Sequence, residues 1–243
     1  RCPVAFSKDG VETLYTIRFR ESLKSRNDMF DGETYSDAWE ILNPNPEKVS
    51  YVQNEGLRLQ ADFGEIGEDP QTENVFLQTA EGNWSMETKI TFNNASGYGQ
   101  AGLTVYSSKT DYIKFTRMAN GVVEGRNYNN GELDQFLYQG GVALTDNTLW
   151  LRARKFGNEY TFSYSTNGVD YVDARTTVFD AENPQIGLVA NGSNVGGSVD
   201  ATFHYFKFVD ESLQSDEFDG ESYSSAWHIL NPNPELVTYA ING

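Results

Sequence analysis

Trp84-Ser85-Met86-Glu87-Thr88-Lys89-Ile90-Thr91-Phe92 sorts its side chains by parity, with Trp84, Met86, Ile90 and Phe92 on one side and Ser85, Glu87, Lys89 and Thr91 on the other. Successive side chains of an extended chain point to opposite faces, so this run predicts a strand with one buried and one wetted face. Outward from it the theme recurs at Leu103 and Val105, at Ile113 and Phe115, at Leu149 and Leu151, and at Tyr160, Phe162 and Tyr164. Between Tyr164 and Tyr171, Asn167-Gly168 predicts a two-residue type I′ hairpin, because both central positions of that turn need positive φ. Helical periodicity is absent throughout. Alternating strands joined by Gly-rich turns predict an all-β chain of two packed antiparallel sheets.

A 243-residue chain with 38% hydrophobic and 14% aromatic residues has material for a sizeable core. Its formal net charge of −17 argues against nucleic acid and anionic membrane as partners, since both are bound through clustered Lys and Arg. The single cysteine, Cys2, excludes an internal disulfide. No apolar run reaches the roughly 18 residues of a membrane span.

The segment from Met29 to Glu47 returns almost unchanged from Glu217 to Glu235, with Phe30 matching Phe218, Trp39 matching Trp227 and Tyr51 matching Tyr239, always 188 positions on. That interval is domain-sized, far above the roughly 20–50 residues of a solenoid repeat. Three regions follow: residues 1–24 ending a preceding module, 25–209 as one complete module, and 210–243 as a linker and the opening of a second. Glu21-Ser22-Leu23, repeated as Glu211-Ser212-Leu213, introduces each copy. Trp39 and Trp227 read as core plugs, and Asn43-Pro44-Asn45-Pro46 as a rigid turn in which each proline fixes φ. Some two dozen residues cannot bury a core alone, so Trp227 is expected to be more exposed than Trp39 unless the partial copy pairs with another chain or docks on the segment from Lys8 to Phe19.

Several motifs occur in the order of a known family: Thr72 to Gln78, Trp84 to Phe92, Gln100 to Tyr106, Asp111 to Phe115, Leu149 to Arg152, Tyr164 to Gly168, Ile186 to Ala190 and Ala201 to Phe206. Together they resemble the concanavalin A-like jelly-roll domain at the C-terminus of family 43 β-xylosidases and arabinofuranosidases. That resemblance implies a secreted or cell-surface, bacterial setting and an accessory role beside a catalytic domain. The opening Lys8-Asp9-Gly10 turn and the strand after it resemble the last hairpin of bacterial immunoglobulin-like modules.

Concanavalin-like enzymes cleave glucans with a Glu-x-Asp-x-Glu strand, in which alternation places three carboxylates on one face. The one literal match, Glu217-Phe218-Asp219-Gly220-Glu221, carries Met29 at its first position in the other copy. Methionine cannot transfer a proton, so catalysis is not expected. Saccharide binding needs aromatic faces and planar hydrogen-bonding groups. On the wetted parity of the middle strands stand Gln100, Tyr106, Tyr112, Lys114, Trp150 and Arg152, with Arg126 and Tyr128 before the Asn130-Gly131 turn. If these strands are neighbours, the eight line one groove on the concave sheet face. A structural Ca²⁺ at acidic loop residues such as Asp31, Asp69 and Asp200 is a further option, as this ion prefers several oxygen ligands. The expected partners are an oligo- or polysaccharide and neighbouring modules of the same chain. A spacer or adhesin sandwich without sugar specificity is the alternative.

Overall fold

The computed structural model describes residues 2–8, 11–17, 27–68, 70–136 and 144–209. Trp227, the second copy and Asp69 lie outside the described residues. At the N-terminus, β1 (Cys2–Lys8) and β2 (Val11–Ile17) pair antiparallel as a separate two-stranded sheet.

Two seven-stranded antiparallel sheets form the sandwich. The first contains β3 (Glu40–Leu42), β6 (Val75–Thr79), β8 (Gln100–Tyr106), β9 (Tyr112–Met118), β10 (Val123–Asn129), β11 (Glu132–Phe136) and β15 (Gln185–Asn191), in the spatial order β11-β10-β9-β8-β15-β6-β3. The second contains β4 (Val49–Val52), β5 (Gly56–Ala61), β7 (Trp84–Gly97), β12 (Thr148–Phe156), β13 (Glu159–Ser165), β14 (Val172–Val178) and β16 (Gly197–Phe208), in the order β14-β13-β12-β7-β16-β5-β4. Alternation of apolar residues fixes which face turns inward, since a one-residue slip would bring the polar set into the core. Leu103, Val105, Ile113 and Phe115 of the first sheet meet Ile90, Leu149, Leu151 and Phe162 of the second in one buried cluster. Each such side chain contributes roughly 1.5–3 kcal/mol on leaving water.

The segment that precedes β5 ties both sheets together. Asp28, itself buried, accepts hydrogen bonds from the Phe30 and Ser36 backbone N–H groups and from Trp39 Nε1 at 2.7–3.0 Å. Trp39 then packs edge-on against Phe206 of the second sheet and Phe76 of the first. It is the plug that the sequence predicts. After β3, Asn43 takes φ +50° and a 3-10 turn at Pro46–Lys48 is capped by Asn45, whose side chain accepts from the Glu47 N–H. The turn read at Asn43-Pro44-Asn45-Pro46 is therefore present, and it leads the chain from the edge of one sheet to the edge of the other.

One turn differs from expectation. Ser165 and Val172 bound a longer loop, Asn167 lacks positive φ, and its Oδ1 accepts from the Val169 and Asp170 N–H groups. Asparagine here folds the loop through its side chain instead of its φ. The two-residue turn with positive φ at both positions occurs at Asn130-Gly131 (φ 52° and 78°), joining β10 to β11.

Candidate functional site

Because Ala101, Leu103, Val105, Ile113, Phe115 and Val123 enter the core, the opposite parity of β8, β9 and β10 forms the outer face of the first sheet. Strand register sorts that face into rows. Tyr106, Tyr112 and Tyr128 are mutual partners across three strands, and Thr104, Lys114 and Arg126 form the next row. Tyr112 and Tyr128 stack with ring centroids 4.5 Å apart. Six of the eight predicted residues thus share one face.

A loop covers much of it. Between β5 and β6 the chain folds back over the sheet, and Ile66 joins Tyr112, Val75, Leu77 and Val189 in a small apolar cluster. Tyr112 donates its hydroxyl proton to the Ile66 carbonyl at 2.5 Å, and Lys114 Nζ donates to Glu65 Oε1 at 2.5 Å. Arg126 NH1 lies 3.8 Å from Glu65 Oε2, and Arg126 Nε lies 3.3 Å from Glu124 Oε1. Asn191 Nδ2 reaches Glu65 Oε2 at 3.4 Å. Burial lowers the Lys114 ammonium below its usual range despite the neighbouring Glu65. Burial also works against the Arg126 charge, but Glu124 and Glu65 outweigh it and the guanidinium is held above its usual value. Burying four charges costs several kcal/mol per ion unless each is paired. Here two acids and two bases compensate one another.

This geometry divides the predicted residues. Gln100, Tyr112 and Lys114 are about 1% exposed, which corrects the expectation that they face a ligand. Gln100 Oε1 instead accepts from Thr116 Oγ1 at 2.7 Å. Tyr106, Arg126 and Tyr128 remain half-buried at the margin of the loop. There they present two rings and a guanidinium oriented from below.

Trp150 and Arg152 lie elsewhere. Leu149, Leu151 and Ala153 of β12 enter the core, so Trp150 and Arg152 emerge on the outer face of the second sheet, across the sandwich from Arg126. The single eight-residue groove is therefore not formed. On this second face Glu87 Oε2 accepts from Arg152 NH2 at 2.8 Å and from the Tyr171 hydroxyl at 2.6 Å, while Oε1 accepts from the Tyr205 hydroxyl at 2.6 Å and Lys207 Nζ at 3.0 Å. Arg152 also lies 3.7 Å from the Tyr171 ring centroid, and Lys89 Nζ sits 5.2 Å from that of Trp150. Glu65, Glu124, Glu87, Tyr171 and Tyr205 were missed by the sequence reading. Glu87 and Glu124 carried the parity signal of a wetted face, whereas Tyr205 shares the parity of the core residues Ala201 and Phe203 and turns outward only through the irregularity between Phe203 and Tyr205, and Glu65 and Tyr171 lie in loops where no periodicity exists to read.

The calcium option is also corrected at Asp200. Its carboxylate is bound by Arg58 through two nitrogens, with Gln60 Nε2 and Asn93 Nδ2 completing the set, and Arg58 holds it below the usual aspartate range. Asp31 is exposed. Among the described residues no three or more His, Cys, Asp or Glu converge as a metal-binding group.

Against known proteins, the profile of the β-xylosidase C-terminal concanavalin A-like domain matches residues 27–209. The GH43 protein BlXynB of Bacillus licheniformis is 21% identical with a TM-score of 0.67, over 82% of this chain and 41% of its own. Bacteroides ovatus GH43B, described by its xyloglucan PUL, is 20% identical with a TM-score of 0.64, over 83% of this chain and 43% of its own. A xylan β-1,4-xylosidase from Bacillus halodurans C-125 is 14% identical with a TM-score of 0.63, over 81% of this chain and 41% of its own. The chain thus spans less than half the length of each of these proteins. No curated protein matches it. With a profile match that runs from the segment of Asp28 to the end of β16, and with the two-sheet sandwich formed from the same residues, the chain belongs to the family of β-xylosidase C-terminal concanavalin A-like domains.

Proposed function

We propose that this chain is a non-catalytic accessory domain of a glycoside hydrolase that acts outside the cell, and that it holds saccharide at Tyr106, Arg126 and Tyr128. The observation that carries the reading is the placement of a guanidinium with its side chain 22% exposed, braced by Glu65 and Glu124, beside the stacked Tyr112–Tyr128 pair. Rings accept the CH face of a sugar, and a fixed guanidinium donates to adjacent hydroxyls without a large ordering cost. The two buried carboxylates of this face, Glu65 and Glu124, are consumed in ion pairs, which suits binding better than bond cleavage. The second copy of the Asp28–Tyr51 segment fits a neighbouring domain of the same kind, so that weak sites on one polymer would add through effective concentration.

Affinity electrophoresis through gels containing xylan, arabinoxylan or xyloglucan tests this. Retardation is expected, with Arg126→Ala and Tyr128→Ala each weakening it about 10-fold or more, as for the loss of a hydrogen bond to a charged group. Trp150→Ala should leave it unchanged. Migration indifferent to every polysaccharide would instead favour a spacer domain.

A further inference from the structure

The inward parity of a sandwich strand is apolar as a rule, and at one edge of this molecule it turns polar. Along β10, Val123 enters the core, but Asn127 and Asn129 follow on the same parity. Their partners in the β10–β11 ladder are Asp134 and Glu132, which therefore face the same way. Partners of this kind set their Cβ atoms about 4.5–5.5 Å apart, so each amide stands beside a carboxylate. On the facing sheet, Thr177 and Arg175 of β14 pair with Tyr160 and Phe162, both core residues, and so turn toward the same gap.

Two bridges cross that gap. Asn127 Nδ2 donates to Thr177 Oγ1 at 3.0 Å and to the Val178 carbonyl at 3.3 Å, and Arg175 NH2 donates to Asp134 Oδ2 at 2.8 Å. Around them lies an open cleft of about 550 Å³, lined by Asn127, Asn129, Glu132, Asp134 and Thr177. Asn127 is 5% exposed, and its Oδ1 has no hydrogen-bond partner. Turning the amide round would not relieve this, because the Val178 carbonyl can only accept and needs the nitrogen. What the cleft offers is chiefly acceptor oxygen, with two carboxylates against one guanidinium. A saccharide is recognised through ring faces, and none of the residues lining this cleft is aromatic. A hard cation needs oxygen alone, and Ca²⁺ takes about six to eight oxygens from amides, carboxylates and water in a loose geometry.

We propose that the cleft between the β10–β11 hairpin and β14 binds Ca²⁺, with Asn127 Oδ1 and the carboxylates of Glu132 and Asp134 as its protein ligands and water completing the shell. Asp134 is the direct cross-strand partner of Asn127, and Glu132 stands on the diagonal, a separation that a long side chain spans. Two carboxylates and an amide are a different set from the three or more acidic, thiol or imidazole groups that the described residues do not bring together. Seated there, the ion ties β11, at the edge of the first sheet, to β14, at the edge of the second. The site is independent of saccharide binding, since Arg126 and Tyr128 occupy the opposite parity of β10.

Calcium titration of the full chain tests it, after treatment with EDTA and dialysis into about 0.15 M NaCl, which screens adventitious binding to surface acids. Calorimetry with CaCl₂ is expected to find one ion per chain with a Kd of about 0.1–1 mM, the range of extracellular calcium modules. Amide NMR shifts should be confined to residues 127–134 and 177–178. Glu132→Gln and Asp134→Asn, both at exposed positions, should each weaken binding about 10-fold or more, while Glu81→Gln, an exposed acid elsewhere, should not change it. Mg²⁺, which demands a tighter octahedral shell, should bind at least about 10-fold more weakly than Ca²⁺. Absence of binding would overturn the proposal, and so would several ions per chain indifferent to Glu132→Gln, shifts scattered over the surface, or equal binding of Mg²⁺. Should Asp134→Asn unfold the chain by releasing Arg175, Glu132→Gln alone decides the matter.

Discussion

Glu87 gathers four donors on the outer face of the second sheet while only 4% exposed. Burial alone would raise its pKa, but hydrogen bonds from Tyr171, Tyr205, Arg152 and Lys207 outweigh that and hold it at about 2, against an ordinary 4.5. A carboxyl depressed in the folded state contributes stability that is complete above its unfolded pKa and is lost as pH falls through the folded one. The window is therefore pH 4.5 down to 2, and a shift of that size corresponds to roughly 3 kcal/mol. Urea unfolding between pH 2 and 7 should show wild-type stability falling through this window faster than that of Glu87→Gln. At neutral pH the same variant should be less stable by about 3–5 kcal/mol, since it leaves Arg152 and Lys207 without their buried counter-charge. Parallel pH profiles for the two proteins would refute the assignment.

At the scale of elements, the loop between β5 and β6 decides which tyrosines of the first sheet are buried, Tyr112, and which stay partly exposed, Tyr106 and Tyr128. Gly67 holds it at φ +82°, and a Cβ there would come within 2.2 Å of the Lys109 carbonyl oxygen and 3.2 Å of the Tyr112 ring. Substitution by alanine adds left-handed strain to that collision, together costing about 1–3 kcal/mol. Gly67→Ala should lower Tm and speed amide exchange across residues 64–72, with exchange in β12 and β13 little altered. This loop also marks the limit of what the sequence discloses. Strands were legible because a sheet with one buried face writes its period into the chain, as from Trp84 to Phe92. The turn at Asn167-Gly168 was misread because the dipeptide serves both a positive-φ hairpin and a side-chain-closed loop, and only flanking strand pairing selects between them. Glu65 belongs to a segment without period, and its partners Lys114 and Arg126 stand roughly 50 and 60 positions away. No local pattern can announce such contacts.

For the whole molecule, the sandwich keeps its two polar networks apart. Inward alternation on β8 to β10 and on β12 sends Arg126 and Arg152 in opposite directions, with the shared core between them. Parity alone told that Trp150 and Arg152 point outward, but it could not tell which sheet they point from, since strand order is a property of long-range pairing. Stacked sheets lie about 10 Å apart, and groups separated by more than about 7–10 Å without shared partners act additively within about 0.5 kcal/mol. Two double-mutant cycles measured by urea unfolding at pH 7 follow from this. Arg126→Ala combined with Arg152→Ala should cost the sum of the single changes, because the two lie on opposite outer faces with the core between them. Arg126→Ala combined with Glu65→Gln should depart from its sum by about 0.5–3 kcal/mol, because the two meet at 3.8 Å within one buried network. Coupling across the sandwich in the first cycle would mean that the two faces form one cooperative unit, and saccharide held at Tyr106, Arg126 and Tyr128 would then respond to Trp150 and Arg152 after all. Additivity there, with coupling in the second cycle, leaves the first sheet's outer face as a self-contained platform whose charges are balanced locally, so a change at Arg126 is felt by Glu65 and Lys114 and not by Glu87.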